Sequence, residues 1–286
     1  MNSTQSAALF KRFFIAIILL LCYAPIFLVV LYSFNESRLS SVWAGFSLAW
    51  YKDLFEDSAM FEALMNSLVL AVLSSLSAAL IGTLGAAGVV RVRPQGDASL
   101  ASRASGVMGY LAVLPIMIPE IIMGMVLLAF FALLGLPLGM FTLVLAHTCF
   151  CVPYPFLLVR ARLAGLDKSY GEAARNLGAG EWRAFYDITI PLILPAIISS
   201  TLISFAMSFD DVIVSVFVTG PHTNTLPIKI YSQIKTGISP KINALCTLLF
   251  AATALLGLIS AYIARPRTHR ARLKQKKQPT ITRRVQ

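Results

Sequence analysis

Long apolar runs separated by short polar stretches set the rhythm of this chain. Phe13 to Phe34 is 22 residues without a charge. As a helix it would extend about 33 Å at ~1.5 Å per residue, enough to cross the ~30 Å hydrocarbon core of a bilayer. Residues 63–90 and 242–264 are also uncharged and long enough. The uncharged stretch from Ile121 to Val159 is too long for one crossing, and Leu134-Gly-Leu-Pro-Leu-Gly139 supplies a turn within it. The pattern predicts an all-α, polytopic helical membrane protein with six spans, at about 13–34, 64–90, 107–134, 141–159, 192–218 and 242–264. The first run follows Lys11 and Arg12 as a signal peptide would. It exceeds the roughly 7–15-residue core of such a peptide and no small-residue cleavage site follows, so it reads as a retained span.

Composition supports this class. The chain has 286 residues, 57% hydrophobic and 13% charged, with a net charge of +11; soluble domains carry about 25% charged residues. Nineteen of the 24 Lys and Arg fall on the side shared by both termini, and nine of those lie in the tail from Arg265 to Arg284, which has no acid. The positive-inside rule places that side in the cytoplasm, where the basic tail 265–286 can meet anionic lipid. A charge so placed argues against a nucleic-acid partner. The largest cytoplasmic loop is then 160–191. Cys22, Cys149, Cys151 and Cys246 all sit in apolar runs and read as small hydrophobes, with no zinc-ligand spacing. Gly82, Gly85 and Gly88 in the second span suit close helix packing. The outer loop 35–62 carries Trp43, Trp50, Tyr51 and Phe55, which fit either an interfacial helix or a docking surface for an external partner.

The loop 160–191 is organised. Ser169-Tyr-Gly-Glu172 fits a capping box, and a helix starting there puts Tyr170, Ala173, Ala174 and Leu177 on one stripe. Gly178 and Gly180 end it; Trp182, Phe185 and Ile188 open a second stripe, and Pro191 leads into the fifth span. Physics alone leaves two readings open: a loop packed on its own membrane helices, or a contact for another subunit.

The spelling Glu172-Ala173-Ala174, Gly178, Ile188-Thr189-Ile190-Pro191 closely resembles the EAA loop of ABC-importer permeases, with Ile190-Pro191 where that family has Leu-Pro. The resemblance implies a single permease domain over 1–286 with the MetI-like fold, and a loop that seats in a groove of an ATPase subunit. Tyr170, Glu172, Ala173, Ala174, Leu177, Gly178, Ile188 and Pro191 are then the coupling residues. The chain has no G-x-x-x-x-G-K-[ST] phosphate loop. It is therefore expected to be no enzyme and to hold no cofactor, with ATP and Mg on the partner ATPase. Leu31-Tyr-Ser-Phe-Asn-Glu-Ser37, Ser208-Phe-Asp-Asp-Val-Ile-Val-Ser215, Phe217-Val-Thr-Gly-Pro221 and Ser239-Pro-Lys-Ile-Asn-Ala244 resemble the spermidine/putrescine branch, in particular its second permease subunit. Val42-Trp-Ala-Gly45 leans toward the putrescine type.

Three acids fall within the predicted spans: Glu120, Asp210 and Asp211. A carboxylate in hydrocarbon costs several kcal/mol unless it is paired or wetted, which makes such residues functional candidates. A polyamine pathway needs carboxylates for its ammonium groups and apolar walls for its methylenes; Phe205, Phe209 and Tyr154 are candidates for the walls. Adjacent residues on a helix diverge by ~100°, so Asp210 and Asp211 are not expected to face one cavity. One of them could instead cap backbone. His147 reads as a hydrogen-bonded structural residue. Pro115, Pro119, Pro153 and Pro155 fit either broken helices beside a cavity or packing adjustments.

The resulting expectation is the permease subunit of an ATP-driven polyamine importer (putrescine, spermidine or both) in a bacterial inner membrane. Its partners would be a homologous permease, an ATPase dimer, a periplasmic polyamine-binding protein and the lipid bilayer. The rivals are an ABC permease for another small solute and an ion-coupled secondary transporter.

Overall fold

The computed structural model describes residues 3–37, 42–91, 100–167, 169–237 and 239–263; the basic tail 265–286 lies outside them. The regular structure of the described residues is helical apart from one isolated bridge, Asn35 to Phe46. In order the helices are α1 (Ser3–Tyr32), α2 (Ala49–Phe55), α3 (Ser58–Arg91), α4 (Leu100–Met117), α5 (Glu120–Leu133), α6 (Met140–Cys151) and α7 (Pro153–Ala164). There follow α8 (Ser169–Asn176), α9 (Glu181–Ala184), α10 (Ile190–Phe209), α11 (Ile213–Val218), α12 (Leu226–Thr236) and α13 (Pro240–Ile263).

Four stretches are long and apolar enough to cross a membrane: Phe10–Tyr32, Ser58–Val90, Met140–Ala164 and Glu181–Phe209. A fifth arises if α4 and α5, bent by 109° at their junction, make one broken span. The described apolar part of α13, Pro240–Leu255, is shorter, so length and composition support four or five spans where the pattern suggested six. Two further differences follow from backbone chemistry. The span expected at 107–134 is split because Pro119 has no N–H and adopts an extended ψ of 133° at the start of α5. The helix expected over 192–218 stops at Phe209 and restarts at Ile213, so Asp210 and Asp211 lie in a break and not on a helix.

The contacts define two compact units, Met1–Leu54 with Ile238–Gln286, and Phe55–Gly237. In the first, α1 packs on α13. Buried Asn35 organises the segment after α1: its Nδ2 donates to the Val42 carbonyl at 2.7 Å, its Oδ1 accepts from the Ala44 amide at 2.9 Å, and its own carbonyl accepts from Trp50 Nε1 at 2.7 Å. Trp50 is thereby anchored to backbone, and the segment 35–62 holds one short helix, α2, that carries it.

In the second unit α3 is the hub, packed against α6, α7 and α10. Ala86 and Val89 of α3 meet Phe156 and Val159 of α7 and Ile193 of α10 in one fully apolar cluster. A second cluster joins Leu70 of α3 to Met123 and Phe131 of α5, Leu143 and Ala146 of α6, and Val214 and Val218 of α11. Ser200, Ser204 and Ser208 are buried at intervals of four along α10, where small side chains let helices approach closely. Of the cysteines, Cys151 is buried, Cys149 and Cys246 are half-buried, and Cys22 is exposed on α1.

The glycine series in α3 divides. A Cβ on Gly82 would stand 2.8 Å from the Phe156 amide nitrogen and 2.9 Å from the Val152 carbonyl, whereas one on Gly88 meets nothing within 4 Å. We therefore expect Gly82→Ala to cost about 1–3 kcal/mol, because backbone on the facing helix must move. Gly88→Ala, which gains helix propensity, should be neutral or stabilising by up to about 1 kcal/mol. Thermal unfolding of the purified protein in detergent, with each Tm compared to wild type, measures both.

Candidate functional site

A cavity of about 350 Å³ opens where the two helix breaks meet. One wall is the α4–α5 junction, with Pro115, Ile118, Glu120 and Met123; another is the α10–α11 junction, with Met207, Asp210 and Asp211; α6 and α7 contribute Phe150 and Tyr154. α4 ends here at Met117 and α10 ends here at Phe209. Helix C-termini present carbonyl oxygens and the negative end of the dipole. The N-termini of α5 and α11 border the same cavity and offset those two ends, so its negative character comes from the carboxylates, beside largely apolar walls.

Four of the six residues singled out for a substrate pathway, Glu120, Asp210, Asp211 and Tyr154, line this one cavity. Asp210 and Asp211 both border it because they lie in the break between α10 and α11, but the Asp211 carboxylate is turned into the first turn of α11, the backbone cap that the sequence left open for one of them. Phe205 and Phe209 stack on each other, with centroids 6.0 Å apart, and do not line the cavity. They lie two residues either side of Met207, about 200° round α10 from the cavity face. Phe150 and Met123 form the apolar walls instead.

The three acids differ. Asp211 is committed to structure: its Oδ1 accepts the Val214 amide at 3.2 Å, and its Oδ2 accepts the Ser215 amide and the Ser215 hydroxyl, each at 2.8 Å. It caps the first turn of α11. Glu120 and Asp210 are exposed to the cavity, and among the described residues neither has an ion pair. Behind Asp211 a buried polar chain crosses the core. His147 on α6 contacts Ser215 Oγ at 3.0 Å and Asp211 Oδ2 at 3.5 Å through Nε2, and Ser208 Oγ at 2.8 Å through Nδ1; Ser208 lies 2.8 Å from Ser74 Oγ of α3. His147 has the hydrogen-bonded character its sequence context suggested. Its link to the acids is a feature that sequence could have hinted at only through the four-residue serine spacing on α10.

The loop 160–191 places its residues as follows. α8 starts at Ser169, but the bond at its start runs from the Ser169 amide to Asp167 Oδ1 at 2.9 Å, so Asp167 supplies the cap ascribed to Ser169. The Ser169 N–H holds the exposed Asp167 carboxyl below its ordinary value. That cap is in place at neutral pH and is lost as pH falls below the usual carboxylate range. Ala174 is buried while Tyr170, Ala173 and Leu177 are exposed, Leu177 at 89%. Glu172 is exposed as well. Gly178 has φ of 82°, and the Ala179 amide donates back to the Ala174 carbonyl at 3.0 Å, the 6→1 bond of a Schellman turn. Past the turn, Trp182 is 75% exposed, Phe185 is buried and Ile188 half-buried. Pro191 does not stop the helix: Glu181–Phe209 is continuous. A π-helical turn at Phe185–Thr189, with the Ile190 amide bonded to the Phe185 carbonyl, shifts the ladder by one residue just before the proline that has no N–H to give.

Apolar helices of spanning length, with broken helices and carboxylates at a shared cavity, define a multi-pass membrane transport protein. Residues 96–270 match the family described as binding-protein-dependent transport system inner membrane component. The chain belongs to that family, the permease subunits of ABC importers. It is 40% identical over 247 residues to the putrescine transport system permease protein PotI of Escherichia coli (strain K12), covering 84% of this chain and 85% of that one. It is also 40% identical over 246 residues to the spermidine/putrescine transport system permease protein PotC of the same strain, covering 86% and 90%. Its fold resembles a chain of a bacterial ABC transporter involved in import of the acidic polysaccharide alginate, with TM-score 0.68 at 14% identity over 94% of this chain and 99% of that one. It also resembles a chain of the MetNI methionine ABC transporter in an inward-facing conformation, with TM-score 0.56 at 16% identity over 73% and 98%. This architecture implies a second permease, an ATPase and a binding protein as partners.

A Cβ on Gly178 would meet nothing within 4 Å, so Gly178→Ala tests the positive φ alone. The expected cost is about 1 kcal/mol. It should appear as faster amide hydrogen exchange across residues 169–180, with the membrane helices unchanged.

Proposed function

We propose that this chain is a permease subunit of a polyamine importer, and that Glu120 and Asp210 receive the cation. The observation that carries this reading is the cavity: two carboxylates without an ion-pair partner among the described residues, facing apolar walls at two helix breaks. At about 350 Å³ it sits at the small end of the roughly 300–1,000 Å³ range of small-molecule sites. A thin diamine chain suits it: ammonium to carboxylate, methylenes against Met123, Phe150 and Met207. The identities to PotI and PotC, whose names specify putrescine and spermidine/putrescine, support the same cargo.

The loop 160–191 is the coupling element in this reading and faces the cytoplasm with both termini. Tyr170, Ala173 and Leu177 present an apolar edge to water beside Glu172, with Trp182 across the Gly178 turn. Closure of an ATP-bound ATPase pair would push on this edge. Glu181–Phe209 is one unbroken helix, so a push at its start reaches the cavity at its end. Ile188 and Pro191 lie in that helix and transmit the push; they are not part of the exposed edge.

Two measurements test the reading. The complex of this chain with its partners, reconstituted in proteoliposomes with loaded binding protein, should take up labelled putrescine or spermidine only with ATP. Glu120→Gln and Asp210→Asn should each raise KM by about tenfold, as loss of one hydrogen bond to a charged group predicts. ATP-dependent uptake of another solute and of neither polyamine would overturn the cargo. Uptake that survives ATP depletion and collapses with the proton gradient would overturn the importer. For coupling, Leu177→Asp should leave the complex in the membrane and reduce uptake per ATP hydrolysed by about tenfold or more, because it places a charge in an apolar contact; unchanged uptake per ATP would remove the loop from that role.

A further inference from the structure

Three carboxylates line the cavity, and the side chain of one is already occupied. Asp211 accepts three hydrogen bonds from the first turn of α11, and its carboxylate is 6% exposed. What keeps it there is not only its own helix. The Ser215 hydroxyl donates its single proton to Asp211, so its contact with His147 is one in which Nε2–H is the donor. Asp211 Oδ2 lies 3.5 Å from the same nitrogen. In the neutral ring Nδ1 is then an acceptor and takes the Ser208 hydroxyl proton at 2.8 Å. The ring is fully buried and packs on Phe150, itself a cavity wall, with centroids 5.0 Å apart and the ring planes tilted by 51°. It therefore has a fixed orientation, with one nitrogen on the α10–α3 side and the other on the α11 side.

We propose that His147 is a positioning residue of the cavity. Its Nε2–H, through Ser215, holds the Asp211 carboxylate against the start of α11 and leaves Glu120 and Asp210 as the pair that meets the cation. This rests on the cation reading of the cavity. Loss of the Nε2–H frees Asp211 to swing into the chamber, where it changes both the number and the spacing of carboxylates that the cargo meets. A ring that merely fills space does neither.

The two amide substitutions separate these roles, because a glutamine amide nitrogen falls near the imidazole Nε2 position and an asparagine amide nitrogen near Nδ1. In the assembled complex without cargo, carboxyl labelling by a water-soluble carbodiimide and glycine ethyl ester, read by peptide mass spectrometry, reports Asp211 directly. Wild type and His147→Gln should label Asp210 and spare Asp211. His147→Asn should label Asp211 at a rate approaching that of Asp210. It should also raise the KM of ATP-driven putrescine uptake by about tenfold, with a smaller change in maximal rate. Ser215→Ala, which leaves the packed ring in place, should label Asp211 at an intermediate rate, so the test does not depend on the histidine variants folding. Asp211 spared in both His147→Asn and Ser215→Ala, or labelled equally in His147→Asn and His147→Gln, overturns the proposal. If labelling behaves as expected but the wild-type complex transports no polyamine, the positioning role stands and the cargo reading falls. If wild type transports polyamine and labelling does not respond, the reverse holds.

Discussion

Everything at the cavity depends on how the chain survives two helix breaks among apolar helices. An unbonded backbone N–H in hydrocarbon costs several kcal/mol, which is why irregular backbone at membrane depth is tolerated only where protein or water satisfies it. At the α10–α11 break the Asp211 carboxylate supplies that satisfaction, accepting the Val214 and Ser215 amides. At the α4–α5 break the chemistry is subtractive: Pro119 removes the amide that would otherwise be stranded. One break is filled by an acceptor and the other is emptied of a donor. Between them opens a cavity whose polar lining is Glu120, Asp210, Asp211 and Tyr154.

The walls are held by close contacts of small residues. A Cβ on Gly124 of α5 would stand 2.5 Å from the Phe217 ring of α11, and one on Gly220 has no room against the Leu138 carbonyl. Thr142 at the start of α6 donates to the Val218 carbonyl at 3.2 Å, which fastens the far end of α11. The near end is fastened through Ser215 and His147 to Ser208 and Ser74. A six-residue helix is too short to be stable alone. α11 persists because both its ends are hydrogen-bonded to longer helices, and the placement of Asp211 is a consequence of that.

The loop between α7 and α10 shows the opposite economy. Its Schellman turn at Gly178 and the Asp167 cap use local chemistry only, and its large side chains at Leu177 and Trp182 stay exposed. The turn is thus ordered by its own backbone while its apolar edge is left unburied. The π-turn before Pro191 keeps that segment in register with α10, so loop and membrane helix are mechanically one piece.

Much of this was legible in the sequence because it depends on local rules. Uncharged runs dictate membrane helices, a glycine at position 178 suits a left-handed turn, and Glu120, Asp210 and Asp211 stand out as acids among apolar residues. The spacing of the 169–191 loop carried the family. The tertiary structure decided what local rules cannot reach. Whether Asp210 and Asp211 share a cavity depends on where α10 stops, and that is settled by capping and by packing of α11 on α5 and α6. Which aromatics line the chamber depends on the rotation of α10, which turned Met207 inward and Phe205 and Phe209 away. The pairing of His147 with Asp211, 64 residues later, needs three helices to meet, and no pattern along one strand of sequence encodes that meeting.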